Sequence, residues 1–198
     1  MNSLSILVKE YELKNIYNLD ESALFYRLQP NRSLATRAVS GVKTSKERVS
    51  IGVCANADGS DKRRLIVIGR YAKPRCFGNF DPNSVVDYFH NAKAWMTSII
   101  FNAWLSKFNK KMACEKRNVL LLLDNASSHK IVGEYSNIKI HFLPPNTTSV
   151  LQPMDAGINK LVLPNLKDAI IMIQSAWTKV TSETIKNCFN HCKYFNNF

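Results

Sequence analysis

Val119-Leu120-Leu121-Leu122-Leu123-Asp124-Asn125 is the stretch that decides the fold. Its five apolar residues run without alternation, which predicts a short β-strand buried on both faces. Such a strand belongs to a sheet that carries helices on both sides. The run ends in Asp124, and an ionisable group at the mouth of a buried strand is costly unless it is solvated or paired. Ligands of open α/β sheets bind at strand ends of this kind, so Asp124 is the first candidate for a functional residue.

The flanking segments extend this strand into a mixed α/β sandwich of three layers. Residues 15–20 predict a strand that delivers Asp20 at its end, and the turn chemistry of Asp58-Gly59 predicts a hairpin between residues 49–56 and 64–69. The spacing of apolar residues predicts helices over residues 3–14, 94–112, 169–177 and 182–189, a further helix after Pro153, and a strand over 138–143.

Length and composition restrict the class of protein. The chain has 198 residues, 45% of them hydrophobic and 10% aromatic, which suits one domain with a packed core. The longest apolar runs have five residues, whereas a membrane-spanning helix needs about 20. We expect no membrane association and no secretory leader, and five scattered cysteines indicate reduced thiols of an intracellular protein.

The balance of charge predicts a polyanionic partner. There are 27 Lys and Arg residues against 15 Asp and Glu, a net charge of +12. One segment without any acidic residue carries six basic ones, which we predict to bind nucleic acid: Lys62, Arg63, Arg64, Arg70, Lys73 and Arg75. The alternative, a solvated face that keeps a small domain soluble, stays open from charge alone.

Three aspartates lie at predicted element ends: Asp20, Asp124 and Asp155. Each alone is compatible with a helix cap or a turn. Together they have the chemistry for Mg²⁺ or Mn²⁺, which prefer carboxylate oxygens. Three carboxylates can hold two such ions about 3.5–4 Å apart, one beside the attacking oxygen and one beside the leaving oxygen.

Four segments resemble the successive motifs of DDE-superfamily transposases, and the pogo/Tigger branch with its jerky and centromere-protein-B type relatives is the most similar. The segments are Asn18-Leu19-Asp20-Glu21-Ser22, Leu121-Leu122-Leu123-Asp124-Asn125-Ala126-Ser127-Ser128-His129, Leu143-Pro144-Pro145-Asn146-Thr147-Thr148-Ser149 and Leu151-Gln152-Pro153-Met154-Asp155-Ala156-Gly157. The 30 residues between Asp124 and Asp155 agree with the short second interval of this branch.

The resemblance implies a ribonuclease-H-like fold with Asp20 on the first strand, Asp124 just after the fourth, and Asp155 near the start of a helix. It also implies that these aspartates hold two divalent ions for hydrolysis and strand transfer at DNA phosphodiesters, in the nucleus. Glu21, Asn125 and His129 match motif positions and are expected to make supporting contacts at most. We expect residues 1–163 to form the catalytic domain and residues 164–198 a shortened helical segment of it. No small-molecule substrate is expected.

The chain departs from the branch at three points. Ser22 stands where threonine is usual, which keeps the hydroxyl. The branch carries helix-turn-helix modules before the catalytic core, so we expect this chain to attract phosphate without a base-reading element. The helical stretch after Asp155 is short and soon meets Pro164. This favours an alternative, a domesticated or decayed DNA-binding protein without catalysis, and leaves open a fragment without stable function.

Other chemical interpretations have weaker support. Asp124, Ser127 and His129 contain the residue types of a hydrolytic triad, but Asp and His on one short loop rarely meet its geometry. We therefore expect His129 to cap the loop or approach the phosphate. Cys188 and Cys192 lack the second pair that a zinc site needs. Four aromatic residues at helical spacing are expected to be core rather than base-stacking: Trp95, Phe101, Trp104 and Phe108.

Overall fold

A computed structural model describes residues 3–27, 47–144 and 165–192, which build a mixed six-stranded β-sheet with helices on both faces. The strands are β1 (Ile16–Leu24), β2 (Val49–Asn56), β3 (Ile66–Gly69), β4 (Asp87–His90), β5 (Val119–Leu123) and β6 (Ile138–Phe142). The helices are α1 (Ser3–Lys9), α2 (Ser98–Cys114), α3 (Leu166–Lys179) and α4 (Ser182–Asn190).

The strand order across the sheet is β4-β3-β2-β1-β5-β6. β1, β2 and β3 are antiparallel neighbours, and β2 and β3 form the predicted hairpin. Gly59 in the hairpin turn has φ of +71°, a conformation that glycine adopts without steric cost. β5 pairs in parallel with both β1 and β6. The predicted mixed sheet is therefore confirmed.

All five residues of β5 are buried, as its unbroken apolar run predicts. Alternate side chains enter opposite layers. Leu121 and Leu123 pack with α2 on one face, whereas Leu120 and Leu122 pack with residues of α1 and α4 on the other. A third cluster joins the outer part of the sheet to α3. Helices on both faces thus give the three-layer architecture.

β1 extends further than its sequence suggests. The expected end at Asp20 is wrong, because β1 continues to Leu24 through antiparallel pairing with β2, including Glu21 with Gly52 and Ser22 with Ile51. Asp20 therefore lies in the middle of the strand. Asp124 follows the fifth strand rather than the fourth, since residues 87–90 add a strand parallel to β3 that the sequence did not indicate.

The second helix begins four residues later than predicted. Ala94 has φ of +53°, and the Thr97 side chain accepts a hydrogen bond from the Ile100 amide as the helix N-cap. Residues 94–97 are consequently a loop. Phe101, Trp104 and Phe108 are buried, as expected, but the prediction for Trp95 is wrong, because its side chain lies on that loop and is 51% exposed.

The two closing helices are confirmed at Leu166–Lys179 and Ser182–Asn190. Residues 3–9 are helical and a 3₁₀ turn follows at Leu13–Asn15, so the first predicted helix is shorter than residues 3–14. Within the described residues, no helix has the length and apolar character that crossing a membrane requires.

Candidate active site

Two of the three predicted aspartates lie on or directly after neighbouring strands. β1 and β5 run parallel with Asn18 beside Leu122, so two positions further along are Asp20 on β1 and Asp124 just past the end of β5. The fully buried Asn18 donates from Nδ2 to the Leu122 carbonyl at 3.0 Å and fixes this register. The sheet therefore places two aspartates that are far apart in sequence at neighbouring backbone positions.

His129 connects the same two strands from the loop that follows β5. Its Nδ1 lies 2.7 Å from Oδ1 of Asp124, and its Nε2 lies 2.7 Å from Oε1 of Glu21. The imidazole is 2% exposed and its ring centroid is 4.8 Å from that of Phe101 on α2. Glu21 is thus a larger part of the site than the resemblance implied, because it holds the far side of the ring.

The charges of this cluster follow from its contacts. Burial alone would lower the pKa of His129, but its hydrogen bonds to the Asp124 and Glu21 carboxylates outweigh burial and raise that pKa to about 10. The hydrogen bond from His129 holds the pKa of Asp124 below its ordinary value, with a smaller contribution from the Ala126 amide. The site therefore contains an imidazolium between two carboxylates at neutral pH.

The hydrolytic triad is ruled out by this geometry, for a different reason from the one expected. Asp124 and His129 do meet, contrary to the prediction for a short loop. However, both ring nitrogens of His129 are engaged by carboxylates, so no nitrogen is left to take a proton from Ser127 or Ser128. His129 does cap the loop, since its Nδ1 is also 3.2 Å from the Asp124 carbonyl.

One carboxylate oxygen of Asp124 is not used by the surrounding residues that the structure describes. Asp124 uses Oδ1 for His129, while its Oδ2 has no hydrogen-bond partner among the described residues. Carboxylate oxygens of this kind are the ligands that Mg²⁺ and Mn²⁺ prefer. Asp155 lies outside the described residues, and in the parts of the chain that are described no three His, Cys, Asp or Glu side chains are arranged to hold an ion. The complete three-aspartate site stays a prediction.

Half of the predicted basic segment is engaged within the protein. Lys62 donates from Nζ to three carbonyls at the end of α3, those of Trp177, Thr178 and Val180, at 3.0, 3.1 and 2.6 Å. Arg63 lies against the Phe108 ring and pairs with Asp61 at 3.4 Å. Arg64 donates to the Asn83 and Val86 carbonyls. These three side chains stabilise the fold where they are.

The other half of the segment lines one cleft. Arg70, Lys73 and Arg75 face a cavity of about 970 Å³ that opens beside the end of β1. Three further cations line it that the sequence did not single out: Arg27, Arg48 and Lys93. These three residues come from separate segments of the chain, so they form no cluster of basic residues that the sequence could reveal. Glu47 is the one carboxylate among the cleft residues described, and Arg27 pairs with it at 3.1 Å.

The order of the strands and the helices on both faces of the sheet define a ribonuclease-H-like fold. The Mos1 transposase paired-end complex with left transposon end matches with a TM-score of 0.63 at 12% identity, covering 98% of this chain and 58% of that one. The mariner Mos1 paired end complex with Mg matches with a TM-score of 0.58 at 11% identity, over 98% and 57% of the two chains.

The chain belongs to the DDE superfamily endonucleases, whose sequence profile matches residues 46–163. The match includes Asp124 and Asp155 and begins after Asp20. Tigger transposable element-derived protein 4 from Mus musculus is 29% identical over 98% of this chain. CENP-B homolog protein 2 from Schizosaccharomyces pombe is 35% identical over 77% of it. The chain spans 42% and 32% of the lengths of these relatives.

Proposed function

We propose that the chain acts as the catalytic domain of a transposase-type endonuclease, which cleaves and transfers DNA strands with Mg²⁺ or Mn²⁺ held by Asp20, Asp124 and Asp155. The observation that carries this proposal is the parallel pairing of β1 and β5, which puts Asp20 of β1 near Asp124, the residue that follows β5. Membership in the DDE superfamily supports the same chemistry. When bound, a pair of divalent ions would supply Lewis acidity at the phosphodiester and lower the pKa of the attacking water.

The neighbouring residues of the protein act on the position of Asp124. His129 Nδ1 lies 2.7 Å from Oδ1 of Asp124 and keeps this carboxylate in one rotamer. Oδ2 of Asp124 then points away from His129. Glu21 fixes the ring from its other nitrogen. Partners of this kind orient a metal ligand and tune its affinity, as do the outer hydrogen bonds of known metal sites. His129 and Glu21 are accordingly positioning residues in this proposal.

DNA is the proposed substrate and the nucleus the proposed compartment. The support for DNA is the cationic cleft beside β1, together with relatives whose names refer to transposable elements and to CENP-B. We extend the catalytic domain over residues 1–163. Residues 164–198 are proposed as a shorter helical part of the same domain, because α3 and α4 contribute Ile170 and Phe189 to the sheet's cores.

Nicking of supercoiled plasmid DNA by the full chain tests the proposal. We expect nicked product in Mg²⁺ or Mn²⁺, none in EDTA, and none from Asp20→Asn, Asp124→Asn or Asp155→Asn. Asp58→Asn is a matched control, because asparagine preserves the turn hydrogen bonds that Asp58 makes to Ser60. Persistent inactivity of the parent chain, with DNA and Mn²⁺ both bound, would overturn the proposal.

One observation favours a second candidate, a DNA-binding protein without catalysis. The positive charge of the His129 imidazolium offsets the negative charge of the Asp124 carboxylate. The carboxylate therefore attracts a cation less strongly. This candidate predicts DNA binding that weakens steeply with salt and no nicking in any metal. The plasmid assay therefore separates the two candidates directly.

A further inference from the structure

Trp95 is an exposed aromatic residue in a rigid loop. Its side chain is 51% exposed, yet the backbone around it is fixed. The Asn91 side chain accepts from the amides of Lys93 and Trp95 and donates to the Trp95 carbonyl at 2.6 Å. The buried Ser50 hydroxyl donates to the Ala94 carbonyl at 2.7 Å. The loop thus presents the indole to solvent in a defined position.

Two cations of the cleft flank this indole. The Arg48 guanidinium lies 4.6 Å from the ring centroid of Trp95, and the Lys93 ammonium lies 5.8 Å from it. Both residues also line the cavity of about 970 Å³. Trp95 therefore stands beside the cleft, next to Lys93 and Ala94 of its lining, with the positive charges of Arg48 and Lys93 close to its ring.

A second exposed aromatic residue, Tyr71, lines the cleft itself. Tyr71 is 60% exposed, and the Arg70 guanidinium is 5.5 Å from its ring centroid. The Tyr88 hydroxyl donates to the Tyr71 carbonyl at 2.7 Å and anchors this loop. The absence of a side chain at Gly69 permits that arrangement, because a Cβ there would collide with the Tyr88 hydroxyl.

The cations of the cleft are available to an anionic ligand. Five of the six make no ion pair with any carboxylate in the described ranges: Arg48, Arg70, Lys73, Arg75 and Lys93. The sixth, Arg27, is balanced by Glu47. A cleft with this excess of positive charge favours a ligand that carries several phosphates.

The cleft lies close to the proposed reaction centre along the sheet. Ser50, which holds the Trp95 loop, pairs with Ala23 across β1 and β2. Ala23 lies on the same face of the sheet as Glu21, two positions earlier and about 7 Å away along the strand, whereas the Asp20 side chain is on the opposite face. A DNA strand that reaches the cluster of Glu21, His129 and Asp124 would therefore continue into the cleft within a few nucleotides.

We infer that this cleft binds single-stranded DNA next to the phosphodiester that reacts, with at least one unpaired base stacked on Trp95; the inference rests on the proposed function for its choice of DNA. An aromatic side chain stacks on bases whose faces are free, which duplex bases lack because they stack on one another. The duplex itself would meet only the outer charges of the cleft. Trp95 thus distinguishes an opened strand from a closed helix.

Fluorescence anisotropy of the full chain in EDTA tests this inference without requiring cleavage. The probes are a fluorescein-labelled oligothymidylate of about 12 nucleotides and a duplex of the same length, since binding modes of this kind span several nucleotides. We expect Trp95→Ala to weaken binding of the single strand about five-fold or more. Binding of the duplex should not change, and Trp95→Phe should restore most of the loss.

The charge contribution is measured separately. The triple variant Arg48→Gln, Arg70→Gln, Arg75→Gln should reduce the slope of log affinity against log salt by about 2 for the single strand. The control variant removes the same charge from exposed lysines outside the cleft: Lys110→Gln, Lys139→Gln and Lys186→Gln. We expect the control to change the slope by less than half as much.

Two outcomes would overturn the inference: Trp95→Ala weakens both probes equally or neither of them, or the control triple variant matches the cleft variant. Thermal melting of each variant verifies folding. Binding in EDTA and nicking in Mn²⁺ are independent measurements. A chain that discriminates the single strand without nicking plasmid DNA would uphold the inference and reject the proposed catalysis.

Discussion

Nδ1 of His129 lies 2.7 Å from Oδ1 of Asp124, five positions earlier in the chain. The other ring nitrogen reaches Glu21, which is 108 positions away. A local loop contact and a long-range strand contact thus share one imidazole. Because His129 is buried against Phe101, the loop after β5 is attached to both β1 and α2. The orientation of Asp124 depends on all three elements.

The first prediction concerns the protonation of His129. Its pKa of about 10 means that the ring carries both protons throughout the neutral range, since each nitrogen donates to a carboxylate. His141 is the internal comparison, because burial lowers its pKa below the ordinary 6.5, with Lys139 acting in the same direction. NMR of the histidine rings in EDTA between pH 7 and 8 should report an imidazolium for His129 and a neutral ring for His141. A neutral His129 at pH 7 would contradict the geometry.

The same contact predicts a pH-dependent loss of stability. A group whose pKa is higher in the folded state contributes stability that is fully present below its unfolded pKa of 6.5 and is lost as the pH rises through about 10. His129→Asn should therefore lower the free energy of unfolding by about 2 kcal/mol at pH 6. Urea unfolding should show the difference between variant and parent shrinking above pH 9.

Divalent ions should raise the melting temperature of the parent chain. A ligand that binds only the folded state adds about 2.7 kcal/mol at one hundred times its Kd. For a domain of this size, that corresponds to an increase of about 5 °C or more. Asp124→Asn should remove the shift, whereas Asp58→Asn should keep it. An equal shift in Asp124→Asn and in the parent would place the ion elsewhere.

Substitutions of Lys62 and Arg75 should have different effects, one mainly on the free energy of unfolding and the other mainly on DNA binding. Lys62→Met removes a charged donor from three carbonyls at the end of α3 and should lower the free energy of unfolding by about 1.5 kcal/mol. Arg75→Gln changes an exposed side chain of the cleft and should alter stability by less than about 0.5 kcal/mol. In anisotropy measurements Arg75→Gln should be the variant that weakens DNA binding more. If Lys62→Met weakened DNA binding more than Arg75→Gln did, Lys62 would belong to the DNA-binding surface, as predicted from the sequence.

Lys116 offers a stabilising substitution at the end of α2. It has φ of +54° in a position where the Lys116 amide donates to the Ala113 carbonyl and the Arg117 amide to the Met112 carbonyl. This pattern favours glycine. Lys116→Gly should therefore raise the free energy of unfolding by about 1 kcal/mol, measured by urea denaturation. Lys110→Gly, in the exposed interior of the same helix, should lower it by about 1 kcal/mol.

The sequence predicts much of the sheet because the pattern of apolar residues along a strand follows from which of its faces are buried. The unbroken apolar run of β5 and the turn at Asp58-Gly59 each reflect a local rule, and both elements form as predicted. β4 and the second half of β1 escaped prediction, since they depend on pairing with β3 and β2 rather than on their own periodicity. Long-range pairing of this kind leaves no local signal.

The site divides in the same way. The order of the motifs predicts Asp20 and Asp124 as site residues, and the pairing of β1 with β5 places them at neighbouring backbone positions. The contact between Glu21 and His129 could not be predicted from the sequence, because it joins residues that are 108 positions apart. Trp95 was misjudged because helical spacing extends through residues 94–97, whereas Ala94 has a positive φ and the helix begins only at Ser98.

The hydrogen bond from Asn18 to the Leu122 carbonyl spans 104 positions of the chain. A pairing with such separation is slower to form than a local contact, because the chain loses entropy when it closes a long loop. During synthesis, β1 remains without its parallel neighbour until the ribosome has released β5. Asp20 and Asp124 therefore cannot come together before β5 has been synthesised, and a nascent chain that stalls before Asp124 contains only one of the two carboxylates.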